Sequence, residues 1–304
     1  DCSIQRRFQK IIEESPAPQI EKSIIDEMAE SAVKFVTNQK YVGAGTIEFI
    51  YDIDNGKFYF LEMNTRIQVE HPVTEMITNS DLVSMQIQFA LNLDLESIEQ
   101  NKINKTGHAI ECRLYAEDPG KNFLPSPGKI TRLKIPNTGF ADIRLDIGVD
   151  EGDEISFYYD PMIAKIISKS DNRAESVNNM IHYLSELEIE GINTNKSFLI
   201  SVLKNESFEK AIYNTKFIEN NLSLFTKESE NVKKNINKTI NEENIVQKYT
   251  DKDVEAFKKI TAQSPNKKHS DHYTENDFKA FKNILNKKND NQKKGSIKNI
   301  IGKV

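Results

Sequence analysis

The run FYFLEMNTRIQVEHPVTEM at 58–76 leaves few ways for this chain to fold. Its first half is apolar and aromatic, as a buried strand requires. Its second half puts a polar group at every other position: Glu62, Asn64, Arg66, Gln68 and Glu70. Side chains alternate faces along an extended chain, so one continuous strand would carry all five on one face. Met63, Thr65, Ile67 and Val69 would take the other. Carboxylates, amides and a guanidinium in this order beside an aromatic run have the character of a chemical site.

A partner strand precedes it. TIEFIYDI at 46–53 is rich in β formers, and Asp54-Asn55-Gly56 follows as a turn signal. A hairpin pivoting on Asn55 sets Glu48 opposite Glu62. Two carboxylates about 5 Å apart across a ladder repel each other. They persist together if one is protonated or if a cation lies between them. With Asn64 the set is all oxygen, which suits Mg²⁺ or Mn²⁺ and not zinc. The competing reading is a solvated hairpin face with incidental acids, and a bulge at Gly56 would shift the pairing.

The 304 residues are enough for one large domain or two to three smaller ones. No apolar run reaches transmembrane length, and no signal-peptide pattern opens the chain. It begins with Asp1 and runs straight into a dense motif, so the start reads as a cut inside a larger protein. Two cysteines, Cys2 and Cys112, make no disulfide framework and point to a reducing compartment. Cys112 reads as a small buried side chain. Residues 226–304 carry 18 Lys against 11 Asp plus Glu, a net +7, while residues 1–225 carry a net −12. The basic end is rich in Lys and Asn and poor in apolar residues, which favours weak ordering over nucleic-acid binding.

In chain order, 1–10 reads as a strand and 11–20, with its two prolines, as a loop. Residues 21–39 have helical spacing. His71-Pro72 is expected to break the long strand, because the residue before a proline is pushed extended. Ser80 or Asp81 caps a helix to about Asn92. HAIECRLYA at 108–116 alternates, with His108 more often core than ligand. A loop covers 119–128. Strands are expected at 129–135, 141–147, 154–158 and 162–169, and helices at 172–187 and 193–203, the latter capped by Asn193 or Thr194. Residues 207–225 close the compact part as helix and turn. In the tail, TDKDVEAFKKI at 250–260 matches TENDFKAFKNI at 274–284, each a capping-box variant that could open a short amphipathic helix. Chance similarity in a Lys/Asn-biased sequence is the simpler account.

The runs DCSIQRRFQK, GAGTIEF, FYFLEMNTRIQVEHPVTEMIT and GHAIECRLYAEDP resemble the signature runs of biotin carboxylase, the ATP-grasp component of the biotin-dependent carboxylases. The resemblance covers about 1–225, and IGVDEGDEISFYYDPMIAKII looks most like the α chain of propionyl-CoA carboxylase. It implies an α+β fold: the C-terminal part of an ATP-grasp domain (1–104), the biotin carboxylase C-terminal domain (105–225), and a Lys/Asn-rich, helical or disordered tail (226–304).

In that family ATP and bicarbonate form carboxyphosphate, which carboxylates biotin carried on a separate carrier domain. The resemblance implies Glu48, Glu62 and Asn64 as ligands of Mg²⁺ or Mn²⁺ at two sites. Lys10, Arg66, Gln68, the Val69 backbone and Glu70 match the bicarbonate site, with Glu70 as the base that deprotonates bicarbonate. Arg113 matches the residue that stabilises the biotin enolate, and its planar fork suits that role better than lysine. Without the resemblance, Arg113 reads as a strand arginine with a surface ion pair. Gln5 and Ile50 match adenine-pocket positions, and Glu62 also matches an ATP contact. Phe8 stands where some members have His and is given no role. His71 is expected to fix the loop.

The family's Gly-rich phosphate loop, ATP-binding lysines and N-terminal α/β domain would precede Asp1, and no Ala-Met-Lys-Met biotin attachment motif occurs. The expectation is therefore a piece of a biotin carboxylase, inactive alone. Its expected partners are bicarbonate, a biotin carrier domain, a carboxyltransferase subunit and a second copy joined through the C-terminal domain, with no nucleic acid or membrane. The expected compartment is the cytoplasm, or the mitochondrial matrix in a eukaryote. The alternative is a non-catalytic remnant or dimerisation module that keeps the fold.

Overall fold

The computed structural model describes residues 1–93, 100–137 and 142–236. At its centre is a five-stranded antiparallel sheet. Strands β1 (Ile4–Arg6) and β2 (Gln9–Ser15) form a hairpin whose turn residues Arg7 and Phe8 both take positive φ. Strand β2 then pairs with β5 (His108–Tyr115), which pairs with β12 (Met162–Ser170) and through it with β10 (Asp142–Ile147). The sheet therefore joins the start of the chain to the region expected to form the second domain.

One face of this sheet carries the main core, including Ile12, Ile110, Cys112, Leu114 and Ile166. Helices α4 (Arg173–Glu186), α5 (Lys196–Leu203) and α7 (Phe217–Ile236) contribute Met180, Leu184, Phe198 and Phe225 to it. The opposite face holds a smaller apolar patch of Ala109 and Ile167, covered by Val73 and Ile77 of α2 (His71–Thr78). Beside this patch the same face is strongly charged, and the site lies there. Gly107, with φ +71°, leads into β5 where any Cβ would run into the Ser170 carbonyl.

A separate hairpin pairs β3 (Thr46–Asp52) with β4 (Lys57–Asn64) and places Glu48 opposite Glu62, as the turn signal predicts. A shift in register falls between Glu48 and Phe49, and none falls at Gly56. The strand does not continue to Glu70. It stops at Asn64, residues 65–70 bend, and Pro72 lies in the first turn of α2. A proline in a helix's first turn loses no hydrogen bond, so His71-Pro72 starts a helix here instead of only ending a strand.

Other expectations are corrected. Residues 11–15 are strand, because Ile11, Ile12, Glu13 and Glu14 are buried before the first proline. Strand β5 is buried along its whole length, so neither of its alternating faces meets solvent. The predicted strand 129–135 splits into β8 (Gly128–Lys129) and β9 (Arg132–Lys134), which pair with β11 (Glu154–Ile155) and β13 (Glu188–Glu190). Helix α5 has Asn195 at its cap, but that side chain instead bridges the Tyr115 N–H and the Arg113 carbonyl. Helices α1 (Lys22–Asn38) and α3 (Leu82–Ala90) fall as expected, the latter capped by Asp81, whose carboxylate accepts from the Ser84 N–H at 2.8 Å. The last helix passes 225 and reaches 236, and the repeat at 250–260 and 274–284 lies outside the described residues. Among the described residues no helix is long and apolar enough to cross a membrane.

Glu14 ties three segments together on the core side. It accepts from Arg173 Nε at 2.7 Å and from Tyr213 Oη, and His108 Nε2 lies 2.6 Å away. Burial pushes its pKa up, but these hydrogen bonds outweigh it and hold the carboxyl at about 2. A depressed carboxylate stabilises the fold above its unfolded value of about 4.3, and the contribution fades as pH falls toward the folded value. Glu14→Gln is expected to cost about 3 kcal/mol in urea unfolding at pH 7, the usual scale for breaking a buried pair. The gap from the parent protein should narrow steadily below pH 4.

Candidate active site

The charged face of the sheet meets the β3–β4 hairpin and the 65–70 bend around a cavity of about 820 Å³. Lys10, Glu48, Arg66, Gln68 and Glu70 line it, with Met85 and Phe89 of α3 forming an apolar arm. Strand β2 supplies Lys10, and its ammonium donates to Glu48 Oε1 at 2.9 Å and to Glu70 Oε1 at 2.5 Å. Gln68 Nε2 donates to the same Glu48 oxygen at 2.5 Å. The bend thus brings Gln68 and Glu70 to the hairpin acids without the shared strand face that alternation predicts.

Arg113 crosses the floor of the site from β5. Its Nε donates to Glu13 Oε1 at 2.6 Å and its Nη2 to Glu70 Oε2 at 2.9 Å. It is 8% exposed, so the surface ion pair read from its strand position is corrected to a buried one. Glu70 lies between Lys10 and Arg113. Burial opposes its charge, but the Lys10 hydrogen bond and the two cations hold its pKa below the ordinary carboxylate range. Burial likewise opposes the charge on Lys10, yet its pKa stands above the usual lysine value with Glu70 and Glu48 against it.

Glu48, Glu62 and Asn64 form the outer wall. Asn64 Nδ2 donates to Glu48 Oε1 at 3.2 Å and to Glu62 Oε1 at 3.0 Å, so the two carboxylates converge on one point. Arg66 Nη2 reaches Asn64 Oδ1 at 3.4 Å, and its Nη1 donates to the Ile67 carbonyl at 3.0 Å. Asn64 presents its amide N–H groups to both acids and its oxygen to Arg66; with the amide turned over, the two carboxylates and Oδ1 would make an all-oxygen set of the kind that suits a divalent cation of the Mg²⁺ type. Gln5 and Ile50 are not brought into this cluster. Gln5 pairs with Lys10 in the β1–β2 register, and Ile50 is half exposed on β3 beyond the bulge.

Several participants were not legible in the sequence. Glu13, in the KIIEES run, holds Arg113. Lys165 of β12 donates to the Val69 carbonyl at 3.0 Å and pairs with Asp146 at 3.2 Å, which fixes the peptide leading to Glu70. The Cys2 thiol donates to Glu70 Oε1 at 3.5 Å. Burial pushes that thiol up to about 12. His71 Nδ1 lies 2.7 Å from the Gln68 carbonyl and steadies the bend, as its position before Pro72 predicts. His108 is buried against Glu14, on the far face of the sheet.

Residues 1–98 match the family described as carbamoyl-phosphate synthase L chain, ATP binding domain, and residues 111–220 match the biotin carboxylase C-terminal domain. The chain is 48% identical over 219 residues to biotin carboxylase 1 of Bacillus subtilis, covering 72% of this chain and 48% of that protein. It is 45% identical over 218 residues to the mitochondrial methylcrotonoyl-CoA carboxylase subunit alpha of Mus musculus, covering 72% of this chain and 30% of that one. The biotin carboxylase domain dimer of Hydrogenobacter thermophilus 2-oxoglutarate carboxylase, solved with MgADP, ADP and bicarbonate, superposes with a TM-score of 0.70 at 42% identity. That match covers 74% of this chain and 49% of the other. The chain thus spans about half or less of the length of these relatives. Two of these relatives are named for different acceptors, methylcrotonoyl-CoA and 2-oxoglutarate, so the likeness singles out no acyl-CoA. Residues 1–98 and 111–220 thus carry, in order, an ATP-binding segment and a biotin carboxylase C-terminal domain, and the relatives they match are biotin carboxylases and carboxylase alpha subunits.

Proposed function

We propose that this chain supplies the bicarbonate-activating half of a biotin carboxylase, which uses ATP to carboxylate biotin presented by a separate carrier domain. The observation that carries the reading is Glu70, an ionised carboxylate held between Lys10 and Arg113 on the floor of the cavity. Glu70 takes the proton of bicarbonate, whose oxygens are held by Arg66, Gln68 and the Val69 N–H. The dianion then attacks the γ-phosphorus of ATP, displacing ADP and giving carboxyphosphate. Lys10 holds the anion as charge grows on it. Arg113 keeps a positive charge beside Glu70 and faces the acceptor when the carboxyl group passes on. Glu48, Glu62 and Asn64 would hold Mg²⁺ or Mn²⁺ at two sites, which when bound neutralises phosphate charge and orients the transferred group. Gln5 and Ile50 flank the adenine, and Glu62 also faces the nucleotide. We assign 1–104 to the ATP-grasp part and 105–225 to the C-terminal domain, with a carboxyltransferase subunit and a second copy of the chain as further partners.

Turnover tests the reading in a chimera that joins the N-terminal half of the Bacillus subtilis relative ahead of Asp1. Bicarbonate-dependent ATP hydrolysis that rises with free biotin is expected, and its absence in a folded chimera would overturn the assignment. The 304 residues by themselves are expected to give none. Glu70→Gln should lower kcat by about 100-fold or more, the usual worth of a positioned base. Because Glu70 ionises below the ordinary carboxylate range, its acidic limb in the pH–rate profile should lie under pH 4.3 or so. Lys10→Met removes its nearest cation and should carry that limb upward. An unmoved limb would mean that another group accepts the proton.

A further inference from the structure

Beneath the site lies an acid that the mechanism above does not use. Glu111 sits on β5 directly opposite Glu13 on β2. Glu111 is 0% exposed and Glu13 1%. Directly opposed residues of an antiparallel pair have Cβ atoms about 5 Å apart, so the two carboxyl groups share one small buried volume. Glu13 Oε1 accepts from Arg113, but Glu13 Oε2 and both oxygens of Glu111 have no hydrogen-bond partner among the described residues. A buried carboxylate without a donor is among the costliest groups a protein can carry, and two like charges face to face are worse. The same two atoms become compatible once one of them carries a proton, which also provides the missing donor.

The proton belongs on Glu111, because Glu13 accepts from the guanidinium and Glu111 has no hydrogen-bond donor among the described residues. The charged and titratable groups around the pair agree. Strand β2 brings Lys10 near, the segment ahead of β1 brings the Cys2 thiol, and β5 adds Arg113 and Tyr115. Strand β12 contributes Lys165, opposite Arg113, which is already paired with Asp146 of β10. Arg144 of β10 is taken by Glu75 of α2, and Glu70 adds a further negative charge. Every nearby cation thus has an anion of its own. Burial and then the Glu13 charge push the Glu111 carboxyl up to about 9, and burial raises Glu13 as well.

We propose that Glu111 is a positioning residue: its neutral form leaves Arg113 shared between Glu13 and Glu70, and its ionised form draws Arg113 down into the sheet and away from Glu70. The proposal rests on the reading above only in taking Glu70 and Arg113 as the reacting end of the site. No bond other than the acid's O–H is broken, and the proton goes to solvent as pH rises. Because the acid is held protonated in the fold, this group makes stability fall between its unfolded value of about 4.3 and its folded value, the reverse of Glu14.

Titration of the 304-residue chain by NMR decides it, with the glutamate carboxyl carbons and the arginine Nε atoms labelled. The Glu111 carboxyl is expected to ionise with a midpoint of about 9, and the Arg113 Nε signal to move with the same midpoint. In Glu111→Gln, which keeps the shape and cannot ionise, the Arg113 signal should be flat from pH 7 to 10. A Glu111 carboxyl already ionised at pH 7, a static Arg113 signal in the parent chain, or the same Arg113 midpoint in the variant would each overturn the proposal. Should the variant fail to fold, the two parent titrations still decide. Neither needs substrate, so failure of the carboxylation reading in the chimera would leave these results untouched.

Discussion

Arg113 is the interaction on which the rest of the site depends. One guanidinium spans from the central sheet to the bend at 65–70, with Glu13 on one side and Glu70 on the other. Buried charges are tolerated only when paired with good geometry, so each of these groups needs the other two in place. The pairing requires that β2 and β5 lie in their observed register, since a slip of one residue would send Glu13 into the apolar core. It also requires that the chain after Asn64 leave the strand, since otherwise Glu70 would stay with the hairpin and never reach the floor. The sheet register and the bend are therefore two conditions of one ion network.

Lys10 joins the two halves of that network. Its three donors suit a point between carboxylates of different origin, and it bonds Glu48 of the hairpin and Glu70 of the bend together. An arginine there would be wider and planar, and would favour a single bidentate partner. The compact ammonium allows Glu48 and Glu70 to stand close together.

The hairpin was legible because its determinants are local: β formers, an Asn-Gly turn and a polar pattern all lie within thirty residues. Helix α2 was less so, because Pro72 reads as a breaker unless the chain before it is already known to have left the strand. The meeting of Glu13 with Glu111, and of Lys165 with the Val69 carbonyl, lay beyond sequence reading altogether. Those contacts join residues about a hundred positions apart, which no local pattern encodes. Arg113 was placed by family likeness alone; alternation suggested only a strand arginine, and the burial of both faces of β5 could not be read from a motif that mixes charged and apolar residues.

Two regions that match separate families, 1–98 and 111–220, meet inside one sheet through β2 and β5. Such a seam has a consequence for how the molecule can diverge. Modules joined by a linker can be shuffled, but strands hydrogen-bonded side by side with charges matched across them cannot be exchanged one at a time. Substitutions at Glu13, Glu111 and Arg113 must be inherited as a set, and a crossover between the two regions would separate members of that set. The boundary visible in the sequence is therefore a poor place to cut, and the two regions form one unit of inheritance.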